Sequence, residues 1–176
     1  MKKTLHNNAF DLIAENLLRW YSIHKRDLPW RRTSDPYKIW VSEIMLQQTR
    51  VDTVIPYYHR FIEAFPTIEA LAEANQQQVL KLWEGLGYYS RGRNLHQAAK
   101  MVLEKFEGKL PSSYKEITSL KGIGPYTAAA LLSIIFNKPY AVVDGNVLRV
   151  LTRLYGIKND IRAGGTKREI QELASE

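Results

Sequence analysis

Two carboxylates stand out in this 176-residue chain, because each lies where its surroundings would set its ionisation. Glu43 falls in a stretch predicted to be helical over about residues 36–48, with Ile39, Trp40, Leu46 and Gln47 on neighbouring turns. That helix is apolar nearly all round and reads as buried, so its acid sits in a costly place where desolvation favours the protonated form. Asp144, in VVDGN, opens a helix predicted over residues 145–155, whose terminal dipole and N–H groups favour the ionised form. A proton-donating carboxyl and a carboxylate held as an anion make the pairing that cleaves glycosidic bonds through an oxocarbenium-like state. Read singly, each residue has a plainer use: Glu43 as partner of an arginine such as Arg31, Asp144 as an N-cap.

Between the two lies LKGIGPYTAAALL, residues 120–132. Gly122 and Gly124 bracket Ile123 in a turn that residues without a Cβ enter freely. Pro125 suits the first position of a helix, which continues over residues 126–136. A short polar-start helix is predicted upstream over residues 112–119. Helix, Gly-x-Gly turn and helix aim backbone N–H groups and a positive helix end at one point, which suits a phosphate oxygen. Such a hairpin grips a nucleic-acid backbone without reading its sequence.

The elements that must position these groups are helical throughout, and the predicted fold class is all-α. A helix over residues 10–24 carries Leu12, Ile13, Leu17, Trp20 and Tyr21 at helical spacing. Residues 25–36 form a loop rich in Arg, Pro and Trp. Asp35 then caps the Glu43 helix, with Pro36 at its first position. Residues 51–65 form another helix, with Pro56 expected in the first turn or at a kink. Thr67 and Asn75 read as N-caps of helices over residues 68–74 and 76–83. Residues 85–94, GLGYYSRGRN, read as a glycine-hinged loop whose tyrosines and arginines suit base stacking and phosphate contact, or equally a surface loop with tyrosines on the core. Residues 94–107 form an amphipathic helix, and residues 167–174 start a last one. Arg149 and Arg153, one turn apart, read as solvated.

Lysine and arginine total 25 against 18 acidic residues, a net charge of +7 that favours a polyanionic partner. The chain has no cysteine, which excludes disulfides, thiol nucleophiles and Cys-ligated clusters within it. The four histidines show no metal-ligand spacing. No signal peptide is evident, and the longest apolar run, residues 128–136, is too short to span a bilayer. The expected setting is cytoplasmic and nucleoid-associated, away from membranes, and the expected state a monomer.

LPWR (28–31), SEIMLQQT (42–49), EGLGYYSRGRNLH (84–96), LKGIGPYTA (120–128) and VVDGNVLRV (142–150) together resemble the MutY-type adenine DNA glycosylases of the endonuclease III superfamily. The resemblance implies a helix-hairpin-helix glycosylase fold, with a six-helix barrel over about residues 30–137 and a second half from residues 1–29 and 138–176. It implies excision of adenine opposite 8-oxoguanine or guanine in duplex DNA, with Glu43 as the acid and Asp144 stabilising the cation. Tyr126 would lie near the sugar, and Asn146 would orient Asp144 or the water. Arg26, Trp30, Arg31 and Leu46 are carried over to the DNA and adenine pocket, and Gln48 to a wedge opposite the flipped base. Thr49, Leu86 and Tyr88 would meet the oxidised guanine, and Lys121, Gly122 and Gly124 the backbone. A cation site on the carbonyls of Thr118, Leu120 and Ile123 is implied as well.

Bifunctional relatives carry a lysine at the position of Tyr126, and its amine attacks the sugar. A tyrosine cannot form that Schiff base, so the chain reads as monofunctional. Endonuclease III-type action on pyrimidine lesions, and a non-catalytic DNA-binding remnant, are the competing readings. Most members continue into four cysteines holding an iron–sulfur cluster and then a Nudix-like domain. No cofactor is expected in this chain, where the cluster would need residues beyond 176. The sequence reads as a partial catalytic domain, expected to be marginally stable and weakly active alone.

Overall fold

The computed structural model describes residues 2–175, and residues 12–175 at the level of side chains. No strand occurs among the described residues, so the all-α expectation holds. The chain divides into two compact units, Met1–Arg32 and Thr33–Glu176. The first carries α1 (Lys2–His24) and a 3-10 turn at Pro29–Arg31.

The second unit begins as the sequence predicts. Asp35 accepts the Tyr37 N–H at 2.9 Å and Pro36 opens α2 (Pro36–Leu46), which ends two residues short of the predicted limit. α3 (Val51–Ala64) follows, and the Tyr37 hydroxyl donates to the Phe65 carbonyl at 2.8 Å, tying the start of α2 to the end of α3. Pro56 lies beyond the first turn, as the sixth residue of α3. Its ring is exposed, so the helix carbonyl left without a donor can turn to water, which is why the helix tolerates it.

α4 (Ile68–Glu73) and α5 (Gln76–Trp83) take the expected caps, Thr67 accepting from Ala70 and Asn75 forming a reciprocal box with Gln78. Both pack on α6 (Tyr89–Phe106). A short α7 (Tyr114–Ile117) and α8 (Pro125–Phe136) complete the hairpin. α9 (Gly145–Leu154) then packs against α10 (Gly164–Ser175).

α2 is the central rod of this unit, touching α3, α6 and α8. Trp40, Met45, Phe61, Trp83, Leu131 and Leu132 are fully buried around it, and Phe61 meets Trp83 edge-on at 5.9 Å. Burying such side chains contributes about 1.5–3 kcal/mol each. α9 is different. None of its residues is fully buried, and Val150 and Leu154 remain 56% and 50% exposed.

Candidate active site

Glu43 lies on the last turns of α2 and is half-buried, less enclosed than an all-round apolar helix suggested. It lines a cavity of about 380 Å³ with Leu46, Gln47, Gln48, Tyr126 and Thr127. The Gln47 amide donates to the Thr127 hydroxyl at 3.1 Å, joining the end of α2 to the first turn of α8. Gln47 and Thr127 therefore brace this cavity; the sequence placed Gln47 on the Glu43 helix but assigned neither residue a role in the site.

Asp144 caps α9 as predicted. Its Oδ1 accepts the N–H groups of Asn146 at 2.9 Å and Val147 at 2.8 Å. Oδ2 accepts the Asn146 side-chain amide at 3.3 Å, and Arg149 in turn donates to Asn146 Oδ1 at 3.1 Å. Arg149 is thus engaged rather than merely solvated: it fixes the amide so that its nitrogen faces the carboxylate. Tyr126 lines the same cavity as Glu43. Besides the Glu43 cavity it lines a hollow of about 510 Å³ with Tyr140, Ala141, Val143 and Gln171. Its phenol is held above the usual range by burial first, then by the charges of Glu43 and Asp144. The charges of both carboxylates are therefore felt at one hydroxyl.

The hairpin turn needs one glycine, not two. Gly122 has φ +79°, and a Cβ there would stand 2.7 Å from Asn94 Cβ on α6. Gly124 is extended at φ −89°, with nothing near an added Cβ. It gives α8 no side-chain cap, so the helix end stays open to an external acceptor. Lys121 is exposed beside it, and the Leu120 carbonyl accepts the Ile123 N–H at 3.2 Å. Gly122→Ala is expected to cost about 1–3 kcal/mol, from left-handed strain plus the clash with Asn94. Gly124→Ala should cost well under half as much, and urea melts of both variants check the contrast.

The predicted loop over residues 85–94 is mostly helix, for α6 begins at Tyr89. Only residues 84–88 lie outside helix, with Tyr88 at φ +48°. Gln48, just past α2, is likewise left-handed at φ +55°. Gln48 and Tyr88 are exposed, Thr49 is half-buried, and Leu86 is buried. Left-handed backbone at a non-glycine costs about 1–3 kcal/mol, so both segments need outside support.

Arg91 provides it, and does not reach outward to phosphate as the loop reading supposed. It is buried, between the rings of Trp83 and Tyr88. Nη1 faces the carbonyls of Ile44 at 3.0 Å, Met45 at 2.8 Å and Gln47; Nη2 donates to Thr49 Oγ1 at 3.1 Å and the Gly87 carbonyl at 3.2 Å. Burial lowers its pKa, while the open carbonyls at the end of α2 favour the cation. One signal could have revealed this packing. Gly92 follows Arg91 because a Cβ there would lie 3.0 Å from the Trp83 ring.

In the first unit, Arg31 lies over the Tyr21 ring at 5.4 Å and donates to the Arg26 carbonyl at 3.1 Å. Trp30 is buried and Arg26 exposed.

Comparison with known proteins adds the chemistry's setting. Residues 41–176 match the family model for HhH-GPD superfamily base excision DNA repair proteins. The adenine DNA glycosylase of Buchnera aphidicola subsp. Baizongia pistaciae is 50% identical over 144 residues, 81% of this chain and 41% of that protein. That of Rattus norvegicus is 45% identical, over 98% of this chain and 36% of the rat protein. The chain thus spans about two fifths of the length of these curated relatives. A solved thermostable thymine-DNA glycosylase superposes with a TM-score of 0.85 at 29% identity, over 97% of this chain and 78% of that one.

Proposed function

The chain belongs to the HhH-GPD superfamily of base excision DNA repair proteins, and from that premise we propose that it hydrolyses the N-glycosidic bond of adenine mispaired with 8-oxoguanine or guanine in duplex DNA. The observation that carries this reading is that Tyr126 shares a cavity with Glu43 while its hydroxyl feels the charges of both Glu43 and Asp144, the latter the cap of a helix N-terminus. Relatives at 50% and 45% identity that bear the adenine name support adenine as the base.

A base inside the duplex is out of reach, so the adenosine is extruded into the Glu43 cavity. Glu43 donates a proton to the departing adenine. The sugar becomes oxocarbenium-like as the bond breaks, and the Asp144 anion stabilises it until water attacks. Asn146, held by Arg149, keeps Asp144 Oδ2 oriented. Gln48 fills the gap left in the stack, while Thr49 and Tyr88 meet the opposite base; Leu86 is buried in the protein and is not on offer to it. Lys121, Gly122 and Gly124 hold the backbone through the open end of α8. The family's iron–sulfur cluster does not fit the residues present, since this chain offers no thiolate ligand.

Single-turnover incubation with two duplexes tests the reading, one holding A opposite 8-oxoguanine and one T opposite G. Adenine release from the first alone is the expected result. Thymine release would move the chain toward the activity named for its structural neighbour, and release of neither base would leave only DNA binding.

Tyr126→Lys gives a second check on the water-mediated step. A lysine at this site carries an amine toward the sugar carbon and can form a Schiff base. Borohydride should then trap the variant covalently on DNA while leaving the parent chain untrapped. Trapping of the parent would end the monofunctional reading.

A further inference from the structure

Arg91 takes no part in the steps above, yet it is a buried guanidinium whose hydrogen bonds among the described residues all go to neutral oxygens. Enclosing a cation without a carboxylate is expensive, and packing alone would be served as well by an apolar side chain. What an apolar residue cannot do is span two segments at once. Nη1 grips the end of α2 and Nη2 grips Thr49 and Gly87, so one planar fork fastens residues 44–49 to residues 86–88. Trp83 reinforces the second segment by donating Nε1–H to the same Gly87 carbonyl at 3.1 Å.

Each fastened segment carries one left-handed, exposed side chain, Gln48 on one and Tyr88 on the other. Strained backbone of this kind persists only where its surroundings over-determine it. We propose that Arg91 is a positioning residue that locks the turn after α2 to the loop before α6, so that Gln48 and Tyr88 engage DNA as one rigid unit and discriminate the base opposite the excised one. The discrimination half of this inference rests on the adenine-glycosylase reading; the locking half does not.

Arg91→Lys separates the fork from the charge. A lysine keeps a cation at the end of α2 but, as a single point charge, cannot hold both segments. Amide exchange in the whole chain should rise at least ~10-fold at both Thr49 and Leu86, while α8 is unchanged. The affinity ratio for duplexes holding A opposite 8-oxoguanine and A opposite guanine should fall at least ~10-fold toward unity. A purely structural role would weaken binding to both duplexes alike and leave the ratio in place. Arg91→Gln, neutral but with two donors, is measured beside it in case the lysine variant does not fold, and the same two losses are expected. Unchanged exchange at either segment overturns the lock. Looser segments with an unchanged ratio, or a parent chain that binds both duplexes equally, overturn the role in discrimination. Adenine release by the parent chain, followed in parallel, reports separately on the glycosylase reading.

Discussion

Glu43→Gln should lower single-turnover adenine release by ~10²–10⁴-fold, the usual worth of general acid catalysis, while duplex affinity stays within about 3-fold. Glutamine fills nearly the same space, so the cavity formed with Leu46, Gln47, Gln48, Tyr126 and Thr127 should keep its shape. The Gln47–Thr127 hydrogen bond does not involve Glu43, and the end of α2 should stay joined to α8. What is lost is the transferable proton. An amide can still hydrogen-bond to a ring nitrogen of adenine, but it leaves the departing base as an anion. The defect should therefore lie in the chemical step and persist at saturating enzyme. Quench-flow with a duplex holding A opposite 8-oxoguanine, beside a binding titration, makes the measurement. Excision at the parent rate would remove Glu43 as the acid. A parallel collapse of affinity would point to a role in holding DNA.

Much of the fold was legible in the sequence, and the reasons are local. Asp35, Thr67, Asn75 and Asp144 are short polar residues placed just before helical periodicity begins, and each accepts the backbone N–H that its type and position imply. Gly122 before a proline-led helix marked the hairpin in the same way. The start of α6 escaped because no such signal exists there. Tyr88 precedes the helix in a left-handed conformation with no side-chain cap. The turn is held instead by Arg91, whose oxygen partners on residues 44–49 lie more than 40 residues away in sequence. Three glycines and two arginines in ten residues look like a solvated loop when the Trp83 ring that Gly92 packs against is not in view. Gly124 was over-read for the opposite reason: beside Gly122 it resembles a conformational requirement, yet its φ is open to any residue.

Asp144 has two duties, and a pair of substitutions pulls them apart. Asparagine is as good an N-cap as aspartate, so Asp144→Asn should keep the bonds from the Asn146 and Val147 N–H groups and lose only the charge at the helix end, about 0.3–1 kcal/mol. Asp144→Ala loses cap and charge together, about 0.5–2 kcal/mol. That loss falls on α9, a helix with no fully buried residue, so alanine should speed amide exchange across it far more than asparagine does. Catalysis should not follow stability. Removing a preorganised charge from a developing cation costs ~10²–10³-fold in rate, by analogy with the loss of one oxyanion-hole donor, and both variants lack it. Asparagine carries a further penalty. With its oxygen on the backbone N–H groups, its amide nitrogen faces the Asn146 amide nitrogen, donor against donor. Asn146 cannot simply turn over, because its oxygen already accepts from Arg149. The variant should therefore match alanine in lost activity while matching the parent in α9 protection. An Asp144→Asn protein that excises adenine at the parent rate would show that the cap, not the charge, is what the site requires.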